Sequence, residues 1–163
     1  MHYELTDHFQ VGADLSRTWT FFSSAENLRR ITPAWMQFTI TAGGDAPIAL
    51  DTVLDYTIRW KGLPMRWRTK IVEWSPQRQF MDLQVRGPYA LWLHQHSFAE
   101  VAGGVECRDR VIYRMPVPLV GRAVHAAVVR NQLLGIFRHR RKVIGEELGW
   151  VRAVQPDVQI RPL

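Results

Sequence analysis

Short alternating runs dominate the chain. Tyr3, Leu5, Phe9 and Val11 alternate with Glu4, Thr6, His8 and Gln10, the two-residue period of a half-buried strand. Asp7 is the one polar residue on the apolar side of that run, which Gly12 ends. Asp14 then stands where a helix cap belongs, and Leu15, Trp19 and Phe22 follow at helical spacing. Ser24 is placed to cap a second short helix carrying Leu28 and Ile31, which Pro33 stops. Residues 35–41 predict a strand with Met36, Phe38 and Ile40 on one side, and Gly43-Gly44-Asp45-Ala46-Pro47 a loop.

Four hairpins follow. Leu54, Tyr56, Ile58 and Trp60 alternate with Asp55, Thr57 and Arg59, and Met65, Trp67, Thr69 and Ile71 with Arg66, Arg68 and Lys70. A turn at Lys61-Gly62-Leu63-Pro64 sets Trp60 across from Met65, Ile58 from Trp67, Tyr56 from Thr69 and Asp55 from Lys70. Ser75-Pro76-Gln77-Arg78 is the next turn; pairing Trp74 with Gln79 brings Ile71 opposite Asp82 and Thr69 opposite Gln84. A turn at Gly87-Pro88-Tyr89 sets Arg86 against Ala90, Gln84 against Trp92 and Asp82 against His94. Ala102-Gly103 turns the last hairpin, with Phe98 against Cys107, His96 against Asp109, His94 against Val111 and Trp92 against Tyr113. All four registers put one polar set on the inner face: Asp82, Gln84, His94, His96 and Asp109.

The same parity puts Met81, Leu83, Val85, Leu91, Leu93 and Ile112 on the outer face. Such a stripe marks a partner surface, scattered exposure, or an inverted parity; a homodimer through Leu83, Val85, Leu91 and Leu93 is the partner it suggests. Beyond Met115-Pro116-Val117-Pro118, one helix is expected from about Val120 to Leu148. Its stripe comprises Ala123, Val124, Ala127, Val128, Leu134, Ile136, Phe137, Val143, Ile144 and Leu148. Arg130, Arg138 and Arg141 fall away from most of that stripe. Residues 151–163 read as a loose tail.

Composition narrows the classes. The 163 residues, 47% hydrophobic and 22% charged, suit one domain with a core, taken as residues 1–150. A single cysteine, Cys107, excludes an internal disulfide and suits a reducing compartment. No basic segment leads into an apolar run at the N-terminus, and no stretch approaches the ~18 apolar residues of a spanning helix. The net charge of +6 could favour nucleic acid, but much of it sits in Arg138-His139-Arg140-Arg141-Lys142, which reads as a solvated helix end. The arginine-rich outer strands lack interleaved exposed aromatics, so no nucleic acid partner is expected. Phosphate loops, dinucleotide fingerprints and nucleophile elbows are missing.

The element order, a strand, two short helices, a six-strand meander and a long helix, resembles the START-like or Bet v 1-like helix-grip superfamily (SRPBCC). Glu26-Asn27-Leu28 with Ile31-Thr32-Pro33 carries the resemblance toward a bacterial ligand-binding or cyclase/dehydrase-like subgroup. So do Trp67-Arg68-Thr69, Asp82 with Gln84, Gly87-Pro88-Tyr89, Trp92-Leu93-His94-Gln95-His96-Ser97-Phe98, Asp109-Arg110-Val111-Ile112-Tyr113, and Ile136-Phe137 before Arg138. The resemblance covers residues about 1–148. It implies an α+β fold in which a curved antiparallel sheet of about seven strands wraps a long C-terminal helix and leaves a cavity between them. It also implies a cytoplasmic protein. Lipid carriers, receptors, aromatases and cyclases share the superfamily, so fold alone does not choose the activity.

With that cavity, Tyr56, Trp67, Trp92, Phe98 and Tyr113 would line an apolar or aromatic ligand site, and Thr69, Asp82, Gln84, His94, His96 and Asp109 would be its polar members. Three readings of the polar cluster stay open. It is a bracing network, the polar end of a ligand pocket, or acid–base machinery in which a histidine held by a carboxylate moves protons. Two histidines two apart on one strand could also ligate a metal with Asp109 or Cys107; that spacing is common, and neither a metal nor another cofactor is expected. Cys107 has no activating neighbour and reads as a small buried thiol. The expected function is binding of a small hydrophobic or aromatic molecule, lipid-like or polyketide-like. The alternatives are a cyclase or dehydratase and a protein-interaction module.

Overall fold

The computed structural model describes residues 1–60, 62–116, 128–151 and 155–163. Its strands are β1 (His2–Val11), β2 (Thr39–Ala42), β3 (Val53–Trp60), β4 (Leu63–Ser75), β5 (Gln79–Arg86), β6 (Leu91–Val101), β7 (Gly104–Arg114) and β8 (Gln159–Pro162). They form one antiparallel sheet in the order β2-β3-β4-β5-β6-β7-β1-β8. The short helices α1 (Leu15–Phe22) and α2 (Ala25–Arg30) follow β1, and the long helix α3 (Arg130–Leu148) follows β7.

Local chemistry sets the helix ends. The Asp14 side chain accepts the Arg17 amide at 2.7 Å and opens α1. Ser24 occupies the cap position of α2 without a side-chain bond. Pro33 comes after α2 has ended and leads into a 3-10 turn at Ala34–Met36. The strand expected over 35–41 is therefore shorter and later, beginning only at Thr39. Gly149, at φ 85°, ends α3, and its carbonyl accepts the Gly12 amide at 2.9 Å. The expected start of this helix near Val120 lies outside the described residues.

The β6–β7 register is the one the sequence predicts, with His96 opposite Asp109 and Phe98 opposite Cys107. Ile71 meets Asp82 and Thr69 meets Gln84 as expected, but a bulge between Ile71 and Glu73 brings Trp74 onto Phe80 instead of Gln79. Asp82 meets His94, whereas the β5–β6 pairing stops at Leu83–Leu93. Gln84 turns its side chain to the loop instead: its amide donates to the Tyr89 carbonyl at 2.7 Å. The β3–β4 register differs from the expected one by two residues. Trp60 meets Leu63, Ile58 meets Met65, Tyr56 meets Trp67 and Asp55 meets Arg68. The turn is tighter than the expected four-residue one, with Gly62 at φ 83°. A two-residue slip keeps every side chain on its face, so the predicted parity survives, and Asp55 pairs with Arg68 at 2.8 Å.

Two apolar clusters lie between sheet and helices. One gathers Phe9, Phe22, Phe80, Phe98 and Ile144; the other gathers Trp67, Trp92, Tyr113, Leu133 and Phe137. Burying each aromatic side chain stabilises the fold by roughly 1.5–3 kcal/mol. On the outer face Met81, Leu83, Leu91, Leu93 and Ile112 are half-buried and Val85 is exposed.

Two expectations are corrected. The segment 151–163 is not loose throughout: β8 pairs with β1 from Tyr3–Pro162 to Thr6–Gln159, Val158 is buried, and Asp157 binds Arg138. Arg141 does not point away from the core. It reaches from α3 to the buried Asp7 carboxylate and also donates to the Pro156 carbonyl at 2.7 Å. Asp7 is polar on an apolar face because this guanidinium meets it there.

Candidate functional site

Alternation on four neighbouring strands aims one set of side chains at α3. Tyr56 from β3, Trp67 and Thr69 from β4, Asp82 from β5, and Trp92, His94 and His96 from β6 line a cavity of about 330 Å³. Leu133, Ile136, Phe137 and Arg140 from α3 close it from the other side. Four residues expected at the site do not line this cavity. Gln84 is engaged by the Tyr89 backbone. Phe98 packs against Trp19 and Phe22. Tyr113 is fully buried and stacks on Tyr3. Asp109 lies behind the histidines, 2.5 Å from His96 Nδ1 and 3.5 Å from His94 Nε2.

The polar corner of the cavity has two layers. Asp82 faces the histidines from the front, its Oδ2 3.6 Å from His94 Nδ1 and 3.8 Å from His96 Nε2. Thr69 Oγ1, 3.1 Å from Asp82 Oδ1, helps to fix that carboxylate. Asp109 forms the rear layer, and the two imidazole centroids are 3.9 Å apart. Both imidazoles and Asp109 are buried. Burial would raise Asp109, but the pull of the adjacent His96 and His94 outweighs it and holds the acid well below the usual carboxylate range. Burial, helped by the neighbouring His94, pushes His96 down to about 4. At neutral pH an ionised Asp109 thus faces a neutral His96, which leaves His96 one ring nitrogen with a lone pair.

Two residues of the cavity wall carry donors without an acceptor among the described residues: Trp67 Nε1 and Arg140 Nε are both buried and unpartnered there. The Arg140 guanidinium carbon lies 5.1 Å over the Phe137 ring. Arg140 was hidden in the sequence by its basic neighbours. Its spacing gave the signal, because Leu133, Phe137, Arg140 and Ile144 recur at helical intervals and share a face. Phe21, Phe22 and Met36 also line the cavity, from elements whose docking onto the sheet alternation alone does not fix. Cys107 is buried in the inner-face core beside Phe9 and Phe98, and that burial pushes its thiol up, away from the thiolate a nucleophile needs.

No helix of the described residues is long and apolar enough to cross a membrane. No family model and no curated protein matches the chain. Solved structures do. The chain is similar to TTHA0849 from Thermus thermophilus, with a TM-score of 0.71 at 14% identity over 89% of this chain and 96% of that one. It is similar to norcoclaurine synthase of Thalictrum flavum, with a TM-score of 0.63 at 14% identity over 90% and 96%. It is also similar to the di-domain ARO/CYC protein StfQ of the steffimycin biosynthetic pathway, with a TM-score of 0.65 at 13% identity over 91% of this chain and 53% of that one. At such identities a likeness speaks to fold alone. With two short helices after the first strand and a long C-terminal helix against an eight-stranded antiparallel sheet, the chain has the helix-grip fold of the Bet v 1-like proteins.

Proposed function

We propose that this chain binds a small, mostly apolar or aromatic molecule that carries an oxygen acceptor. The observation behind this reading is an apolar cavity of about 330 Å³ lined by Trp67 and Arg140, whose buried Nε1 and Nε donors have no acceptor among the described residues. A buried donor left unmade costs about 1–3 kcal/mol, and a carbonyl, carboxylate or phenolate entering the cavity would recover that cost. Tyr56, Trp67 and Trp92 supply flat apolar surface for a ring or alkyl chain. Native mass spectrometry of protein purified from its host tests the reading directly, through the mass of a retained small molecule. In parallel, an apolar fluorescent carboxylate should quench tryptophan emission. Trp67→Phe and Arg140→Met should weaken that probe while leaving the fold intact. Unchanged affinity in both variants would reject this site.

A second reading rests on a different observation, the 2.5 Å contact that sets the buried Asp109 carboxylate behind the cavity-lining His96. Such a pair can take a proton at the free imidazole nitrogen, with Asp109 offsetting part of the burial that disfavours the cation. Two proteins of this fold, norcoclaurine synthase and an ARO/CYC protein, are enzymes by name, which makes a cyclase or dehydratase the activity to assay. His96→Asn should abolish turnover and spare ligand binding if the pair is catalytic.

A further inference from the structure

The front of the polar corner has the wrong dimensions for a hydrogen-bonded network and suitable ones for a coordination shell. His94 Nδ1 and His96 Nε2 stand 3.6 Å and 3.8 Å from the same Asp82 oxygen, beyond hydrogen-bond range. One donor atom from each of Asp82, His94 and His96 lies within 4.8 Å of the others. A tetrahedral ion bound at ~2.0–2.2 Å needs neighbouring ligand atoms about 3.3–3.5 Å apart, so these atoms require only small side-chain movements to close on one. We infer that Asp82, His94 and His96 form a binding site for a divalent transition-metal ion of the zinc class, with its remaining position open to the cavity.

A second feature points the same way. Both histidines turn their other ring nitrogens toward one buried carboxylate, Asp109. Neither of those contacts is aligned as a full hydrogen bond, yet each imidazole has an acid behind it and faces Asp82 in front. A carboxylate placed behind ligating imidazoles fixes their orientation and raises their basicity. The strands build this sandwich cheaply. His94 and His96 share a face of β6, Asp82 pairs with His94 from one side, and Asp109 pairs with His96 from the other. Arg140 lines the same cavity and opposes a cation, but Asp82 and Asp109 together outweigh its single charge. The ligand set, two imidazoles and a carboxylate with one position open, is that of ions that polarise a substrate oxygen rather than brace a fold.

The test uses the intact chain after chelator dialysis and the ion alone. Isothermal titration should find one Zn²⁺ per chain, and Co²⁺ should give the visible absorption of a four- or five-coordinate nitrogen–oxygen site. Asp109→Asn should weaken Zn²⁺ by about 10–100-fold through loss of the rear carboxylate. His96→Asn and Asp82→Asn should weaken it further. Asp82 is partly accessible and its amide is isosteric, so that variant keeps the test sound if a histidine variant misfolds, which circular dichroism would reveal. Absence of stoichiometric binding overturns the inference. So does binding that all three substitutions leave unchanged, which would assign the ion to surface groups such as His8 and Glu106. Because no organic ligand is used, either result leaves the ligand-binding proposal standing.

Discussion

Replacing Asp7 by asparagine separates two opposed titrations inside this sheet. The Asp7 carboxylate is buried, faces Asp109 across the β1–β7 pairing, and receives Arg141 from α3. Burial pushes its pKa from 3.8 up to about 6; Arg141 pulls against that rise and Asp109 adds to it. An acid whose pKa is higher in the fold contributes stability that is complete below 3.8 and is lost as pH rises through about 6. Just over two pH units at about 1.4 kcal/mol each make that loss roughly 3 kcal/mol. His96 runs in the opposite sense. Its pKa falls from 6.5 to about 4 in the fold, so its contribution is present above 6.5 and lost as pH falls through about 4. The two slopes nearly cancel, and the parent protein should be almost flat across this window. Asp7→Asn removes one slope and exposes the other. Urea denaturation at intervals from about pH 4 to about pH 7 should show the variant gaining on the parent by roughly 3 kcal/mol. A variant that loses ground as pH rises would refute the reasoning, because the Arg141 pair would then outweigh the desolvation of both charges.

Other substitutions test the packing around the site. Phe137→Ala should cost about 3 kcal/mol in chemical denaturation and enlarge the cavity, so a bulkier apolar probe should bind better while a small one loses affinity. Gly104 sits at φ 148°, and a Cβ there would meet the Val11 carbonyl oxygen at 1.9 Å; Gly104→Ala should leave little folded protein by circular dichroism. Asp14→Ala should cost about 1 kcal/mol, read as a lowered urea midpoint with an unchanged slope.

The inner face was legible because four hairpins constrain it together. Turn length decides register, and a misjudged turn, as between Trp60 and Leu63, displaced partners by two without moving a side chain across the sheet. What alternation could not reveal was depth. Asp82, His94, His96 and Asp109 share a face, yet only the docked α3 sorts them into a front layer on the cavity and a rear carboxylate. Arg140 and Arg141 show the same limit. They are adjacent in one basic run, but one lines the cavity and the other meets Asp7. Charge density along a sequence cannot distinguish them, whereas helical phase distinguishes Arg140 from its exposed neighbours. The role of Gln159–Pro162 was hidden because four residues carry too short a pattern to declare a strand.

The far flank of β1 is sealed piecemeal. Tyr3 to Thr6 pair with β8, the Gln10 amide donates to the Gln155 side chain at 3.2 Å, and the Gly12 amide donates to Gly149. Glu4 is clasped from both flanking strands by Arg110 and Arg161. Cutting the chain before Val158 would strip the first of these seals and the Arg161 half of that clasp, baring a run of peptide groups along β1. Such a rim recruits whatever extended segment arrives next, so the shortened protein should self-associate through this flank, and a free peptide copying residues 158–163 should compete with that association.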